Sequence, residues 1–164
     1  MTTQQDGFLI GSLIGELAAE LERRVLDGYH AAGFTDIRAA HAHIFRLLPP
    51  EGCRVTDLAE RAYSSKQAVG YLVDYLEEHG YLERVPDLND GRAQIVRRTE
   101  RGWEVNRTAW QLVQRAQQEW GQQVGEARMA DLIETLRMLV QRLGVPYAGS
   151  ISEVSTRPRR ERRP

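Results

Sequence analysis

The 164 residues contain a single cysteine, Cys53. One thiol excludes an internal disulfide framework and fits a reducing compartment. No run approaches the roughly 18 apolar residues that a membrane-spanning helix needs. Residues 1–7 are polar and lack a basic n-region, so no secretory signal is expected. Together these absences predict a cytoplasmic protein with no membrane partner. Catalytic signatures are missing too: there is no Ser-His-Asp order, glycine-rich phosphate loop or His/Cys ligand spacing. An enzyme, a cofactor and a metal are therefore not expected. His41 and His43 are two apart on an expected helix and do not face each other. Nor is there an excess of charge of one sign, since the formal net charge is -1.

What is present is periodicity. Hydrophobic residues make up 41% of the chain, enough for a core. Leu9, Leu13, Leu17, Leu21 and Val25 recur every four residues, an apolar helical stripe that frays near Gly28 and Gly33. A second helix is expected from an Asp36 cap to Leu48, where Pro49-Pro50 and Gly52 stop it. A short third helix would be capped by Thr56. After it, Val69, Leu72, Val73 and Leu76 sit at i, i+3, i+4 and i+7, with Ser64 or Ser65 as cap and Gly80 as stop. Segments 81–85 and 93–97 alternate as strands, joined by a turn over 87–92. A long helix follows a Thr99 cap, and a last one spans about 126–143.

Two helices joined by a short turn and followed at once by a hairpin form a winged helix-turn-helix. The fold class is mainly α: about six helices plus a two-stranded β-wing, with a helical dimerisation lobe from both chain ends. The fourth helix is split in charge. Its N-terminal half offers Ser64, Ser65, Lys66, Gln67, Gly70 and Tyr71; its C-terminal half offers Asp74, Glu77 and Glu78. Phosphates favour the first half, where the helix dipole is also positive. Gln67 suits adenine, and Lys66 suits guanine or phosphate. An ordinary surface helix with acids placed by chance would carry the same residues.

The runs Thr56–Ala59, Leu72–Arg84 and Asp90-Gly91-Arg92-Ala93, followed by Thr99 and Gly102, resemble the MarR family of bacterial regulators. The resemblance implies a triangular homodimer whose first and last two helices interlock. It also implies a recognition helix in the major groove and a wing arginine, Arg92, in the minor groove. Departures are visible: Arg98 stands where the family usually has an apolar residue, and Gly70 and Tyr71 stand where it often has Ser/Thr and Arg. Asp90, two residues before Arg92, is expected to hold the Arg92 guanidinium by an ion pair.

The expected organisation is a dimerisation region from 8–35 and 100–145, a DNA-binding unit over 36–99, and a basic, disordered tail over 148–164. The expected function is sequence-specific binding of double-stranded DNA. The protein would be a ligand-responsive repressor, acting as a homodimer on a pseudo-palindromic operator. Its effector would be a small aromatic or phenolic molecule at an unknown site. The alternative is a winged-helix adaptor for protein–protein contacts. Cys53 beside Arg54 is either a thiol of lowered pKa or an inert small apolar residue. Trp103, Trp110 and Trp120 belong either to a ligand pocket or to core and dimer contacts.

Overall fold

The computed structural model describes residues 9–145; the expected tail over 148–164 lies outside them. Six helices and a two-stranded antiparallel sheet run in order: α1 (Ile10–Ala31), α2 (Ala39–Leu47), α3 (Val55–Arg61), α4 (Lys66–Glu78), β1 (Leu82–Asp87), β2 (Asp90–Arg98), α5 (Glu100–Val124) and α6 (Glu126–Arg142). This is a winged helix-turn-helix. The wing carries one further bridge, in which Cys53 and Val96 exchange both backbone hydrogen bonds at 3.1 and 2.8 Å.

The core gathers the apolar faces of α2, α3 and α4 on the base of the wing. Ile37, Ile44, Phe45, Leu58, Val69, Val73, Leu76, Tyr81 and Val96 are all buried. The stripe of α1 contributes only its C-terminal part, through Val25, Leu26 and Tyr29. Gly28 does not fray the helix. It lies inside α1, where Leu112 of α5 comes so close that a Cβ would overlap its side chain.

Helix starts differ from expectation because tertiary partners outbid local caps. Asp36 is not the cap of α2, which begins at Ala39 after Arg38. The Asp36 carboxylate instead accepts from the Tyr81 hydroxyl at 2.7 Å, and its carbonyl accepts from the Tyr75 hydroxyl. A charge-assisted bond of this kind is stronger than a neutral one. Thr56 does not cap α3 either; Arg54 does, without a side-chain bond. The Cys53–Val96 bridge holds the chain until residue 53, so the helix starts as soon as it is released. Gly52, at φ 85, permits that approach, since a Cβ there would overlap the Val96 carbonyl. The turn between α3 and α4 passes through Tyr63 in a left-handed conformation, φ 48. Of the two candidate serines, Ser65 caps α4, its Oγ accepting from the Ala68 amide at 3.1 Å.

The hairpin is tighter than its sequence implies. Pairing runs from Leu82↔Arg98 to Pro86↔Gln94, then slips so that Asp87 faces Asp90. Only Leu88 and Asn89 form the loop, and Gly91, Arg92 and Ala93 bulge from β2 without an opposed residue.

Arg98, the departure at the end of β2, is 7% exposed. Its guanidinium donates to the carbonyls of Phe45 (2.6 Å), Leu48 (2.6 Å) and Pro49 (3.1 Å), and lies 4.7 Å over the Trp103 ring. Carbonyls at the end of a helix lack intrahelical donors and carry the negative end of its dipole. Arg98 satisfies them from another element, and no carboxylate is needed. Burial pulls the guanidinium down to about 10, still charged at neutral pH. An apolar residue would remove the desolvation penalty but leave the Phe45 and Leu48 carbonyls without this donor, while the Pro49 carbonyl keeps the Gly52 amide at 3.0 Å. With bonds to charged groups contributing about 1.5–3 kcal/mol each, the loss wins. Arg98→Met should destabilise the fold by about 3 kcal/mol in urea unfolding, and a more stable variant would reject this account.

Candidate nucleic-acid interface

The fourth helix presents its first turn to solvent because its stripe faces the other way: Val69, Val73 and Leu76 are buried while Lys66, Gln67 and Tyr71 are exposed. Ser64 is exposed in the turn before the helix, and the Ser65 hydroxyl is committed to capping. Gln67 Nε2 donates to the Tyr71 hydroxyl at 3.2 Å, so these two side chains are joined along one face. Nothing lies within 4 Å of where a Gly70 Cβ would stand, so the helix is open there.

The acidic half of α4 is largely taken. Arg84 on β1 donates to Asp74 at 2.6 Å and also pairs with Glu77 through its guanidinium. Its backbone amide donates to Glu77 as well, at 3.1 Å. These acids are neutralised by the wing rather than left to repel an approaching phosphate.

At the wing the geometry corrects one expectation. Asp90 does not pair with the Arg92 guanidinium. One carboxylate oxygen accepts from the Arg92 backbone amide at 3.2 Å; the other accepts from Arg54 at 3.3 Å. A short carboxylate bonds the amide two residues ahead more easily than a long side chain curling back. Arg54 also donates twice to Asp87, at 3.0 and 2.6 Å. The Asn89 amide and the Arg54 guanidinium hold the Asp87 carboxyl below its usual range. Among the described residues, neither Lys66 nor Arg92 forms an ion pair.

An open groove of about 780 Å³ separates α4 from the wing, with Arg54, Lys66, Gln67, Gly70, Arg84 and Arg92 in its lining. It brings together four of the expected residues: Lys66, Gln67, Gly70 and Arg92. Arg54 and Arg84 were missed by sequence reasoning. Their carboxylate partners lie up to 36 residues away, and no local period signals such a pairing.

Residues 35–93 match the model of the MarR family. That segment is similar to the winged helix of the MarR family. The MarR fold extends beyond it. Tm0710, a transcriptional regulator from Thermotoga maritima, aligns over 83% of this chain and 96% of its own, at 21% identity and a TM-score of 0.62. The apo form of MarR from E. coli aligns over 85% and 98%, at 24% identity and a TM-score of 0.62. A MepR variant from S. aureus, bound to an oligodeoxyribonucleotide, aligns over 84% and 99%, at 18% identity and a TM-score of 0.55. No curated protein matches the sequence. The chain thus has the fold of MarR-family transcriptional regulators, and no described helix is long and apolar enough to cross a membrane.

Most of the other candidates find structural partners. His41 Nδ1 accepts from the Arg38 amide and its ring stacks on Tyr75, whereas His43 meets Arg46. Trp103 lies under Arg98 and Trp120 beside Arg24, while Trp110 is exposed. Cys53 is buried, and burial pushes its thiol up to about 11. Of the two readings of this residue, the geometry favours the inert thiol. A folded pKa above the free value favours the neutral form in the fold. That stabilisation is complete below about pH 9 and disappears as pH rises through about 11. A disulfide reagent at pH 8 should therefore label Cys53 only as fast as the protein opens. Labelling at the rate of a free thiol would contradict the burial.

Proposed function

We propose that the chain is a transcriptional regulator that reads double-stranded DNA as a homodimer, with residues 36–99 as the DNA-binding unit. The observation that carries this reading is the sorting of charge around the groove between α4 and the wing. Asp74, Glu77, Asp87 and Asp90 are all engaged by Arg84 or Arg54, while Lys66 and Arg92 have no acidic partner among the described residues. A chain of net charge -1 thereby presents two unneutralised cations on one face.

The roles follow from donor geometry. Gln67 gives one amide hydrogen to Tyr71, leaving its second hydrogen and its oxygen for the paired acceptor and donor of adenine. Lys66, at the positive end of the helix, meets phosphate or guanine. Arg92 stands on a bulge and its fork suits a narrow, negative minor groove. Asp90 serves that arginine through the backbone, and Ser64, Ser65, Gly70 and Tyr71 shape the helix end. Repression released by a small aromatic or phenolic effector, in the cytoplasm, is the mode the family resemblance suggests.

The ends of the chain supply the second copy. Leu13 and Leu17 on α1, and Leu132, Leu136 and Leu139 on α6, are all 37–48% exposed, and no residue of α6 is buried. Two such faces on opposite ends of the chain suit burial across a two-fold axis, which would also match two half-sites one helical turn apart. Sedimentation at micromolar concentration should give a dimer. Leu136→Glu should unfold the chain or dissociate it, and a stable monomer of the unaltered protein would sink the proposal.

DNA selected from a random-sequence pool tests the reading itself. Affinity should fall steeply with salt, and Arg92→Ala should lower the logarithmic salt slope by about two per dimer. Gln67→Ala should relax preference at one position per half-site at a cost of about 1–3 kcal/mol. No salt-dependent affinity for any duplex would favour the adaptor reading instead.

A further inference from the structure

Arg54 occupies an unusual place. Its backbone is the N-cap of α3, inside the helix-turn-helix, while its guanidinium reaches the tip of the wing 33 and 36 residues later. There it bridges the two carboxylates that flank the Leu88-Asn89 loop. Each carboxylate in turn holds a backbone amide two residues ahead: Asp87 takes Asn89 at 2.9 Å and Asp90 takes Arg92 at 3.2 Å. Arg54 thus sits at the root of both local turns that shape the wing tip. The Asp87 side chain is only 10% exposed, so salt screens this half of the bridge weakly.

We propose that Arg54 is a positioning residue for DNA recognition, fixing the wing against the helix-turn-helix so that Arg92 stands at a set distance from Lys66 and Gln67. The inference rests on the DNA-binding reading above. Its physical basis is that a two-stranded hairpin is marginal by itself and bends easily where the register slips. The slip here lies between Pro86 and Asp87, and the bulge that carries Arg92 follows the loop. The sheet hydrogen bonds that hold the base therefore do not reach the arginine. A planar guanidinium with several donors can bond two carboxylates at once in a fixed geometry, which an ammonium on a flexible stem does poorly. Arg54 acts on the DNA through Arg92, because its own charge is already spent on Asp87 and Asp90.

A double-mutant cycle with Arg92 separates this role from direct phosphate contact. The probe is the duplex that the unaltered protein selects from random-sequence DNA. Arg54→Met should weaken binding roughly tenfold, and in the Arg92→Ala background it should cost markedly less, the remainder being the repulsion of the uncovered Asp87 and Asp90 carboxylates. Arg54→Lys should bind as poorly as Arg54→Met, since the charge is kept but the bridge is lost. Equal losses in both backgrounds, rescue by lysine, or unaltered affinity in Arg54→Met would each overturn the proposal. A salt slope that falls by about four in the double variant, rather than about two, would show Arg54 on phosphate instead.

Hydrogen exchange on the DNA-free protein supplies an independent arm. Amides of Asn89 and Arg92 should exchange several-fold faster in both Arg54 variants, while the Leu76 amide within α4 keeps its rate and reports an intact fold. Unchanged exchange at Asn89 and Arg92 would also overturn the proposal. Should the unaltered protein select no duplex, the DNA reading fails, and the exchange arm still decides whether Arg54 holds the wing.

Discussion

The wing, the second helix and the long fifth helix meet at the Arg98 guanidinium. It donates to three carbonyls at the end of α2 and lies on Trp103 of α5, directly before the Thr99 cap starts that helix. A buried cation is ordinarily a liability unless it is paired. Here the pairing comes from backbone dipoles, which α2 must satisfy at its C-terminus in any case. One side chain thus supplies donors to the Phe45 and Leu48 carbonyls at the end of α2 and anchors the last residue of β2. The Cys53–Val96 bridge holds the other side of the same strand, and together they set where the wing leaves the core.

Beyond that base the wing is governed by charge rather than by packing. Arg84 ties its first strand to the acids of α4, and Arg54 ties its tip to the start of α3. Both pairings do two things at once. They restrain the hairpin, and they remove negative charge from the groove that Lys66 and Arg92 face. Exposed ion pairs contribute little to folding. Their value here lies in placing side chains, since they fix the wing against α3 and the C-terminal half of α4.

The helices and the hairpin were legible because their signals are local. Val69, Val73 and Leu76 repeat at the helical period and are buried; Lys66, Gln67 and Tyr71 fall between them and are exposed. Boundaries were less legible, and in each case a distant residue intervened. Tyr81 took the Asp36 carboxylate away from capping α2. Val96 held the chain at Cys53, so that α3 began before Thr56. The register slip after Pro86 turned an expected six-residue turn into a two-residue loop with a bulge.

The sequence by itself determined the order of elements, the exposed first turn of α4 and the apolar faces of both chain ends, because each depends on spacing along one segment. Only the tertiary structure decided which charges remain available. Asp90 looked like the partner of Arg92 from two residues away, yet Arg54, 36 residues earlier, takes its free oxygen. Asp74 and Glu77 looked like exposed acids, yet Arg84 takes both. Ion pairing follows distance in space, and the distances between α3, α4 and the wing exist only after the core has closed.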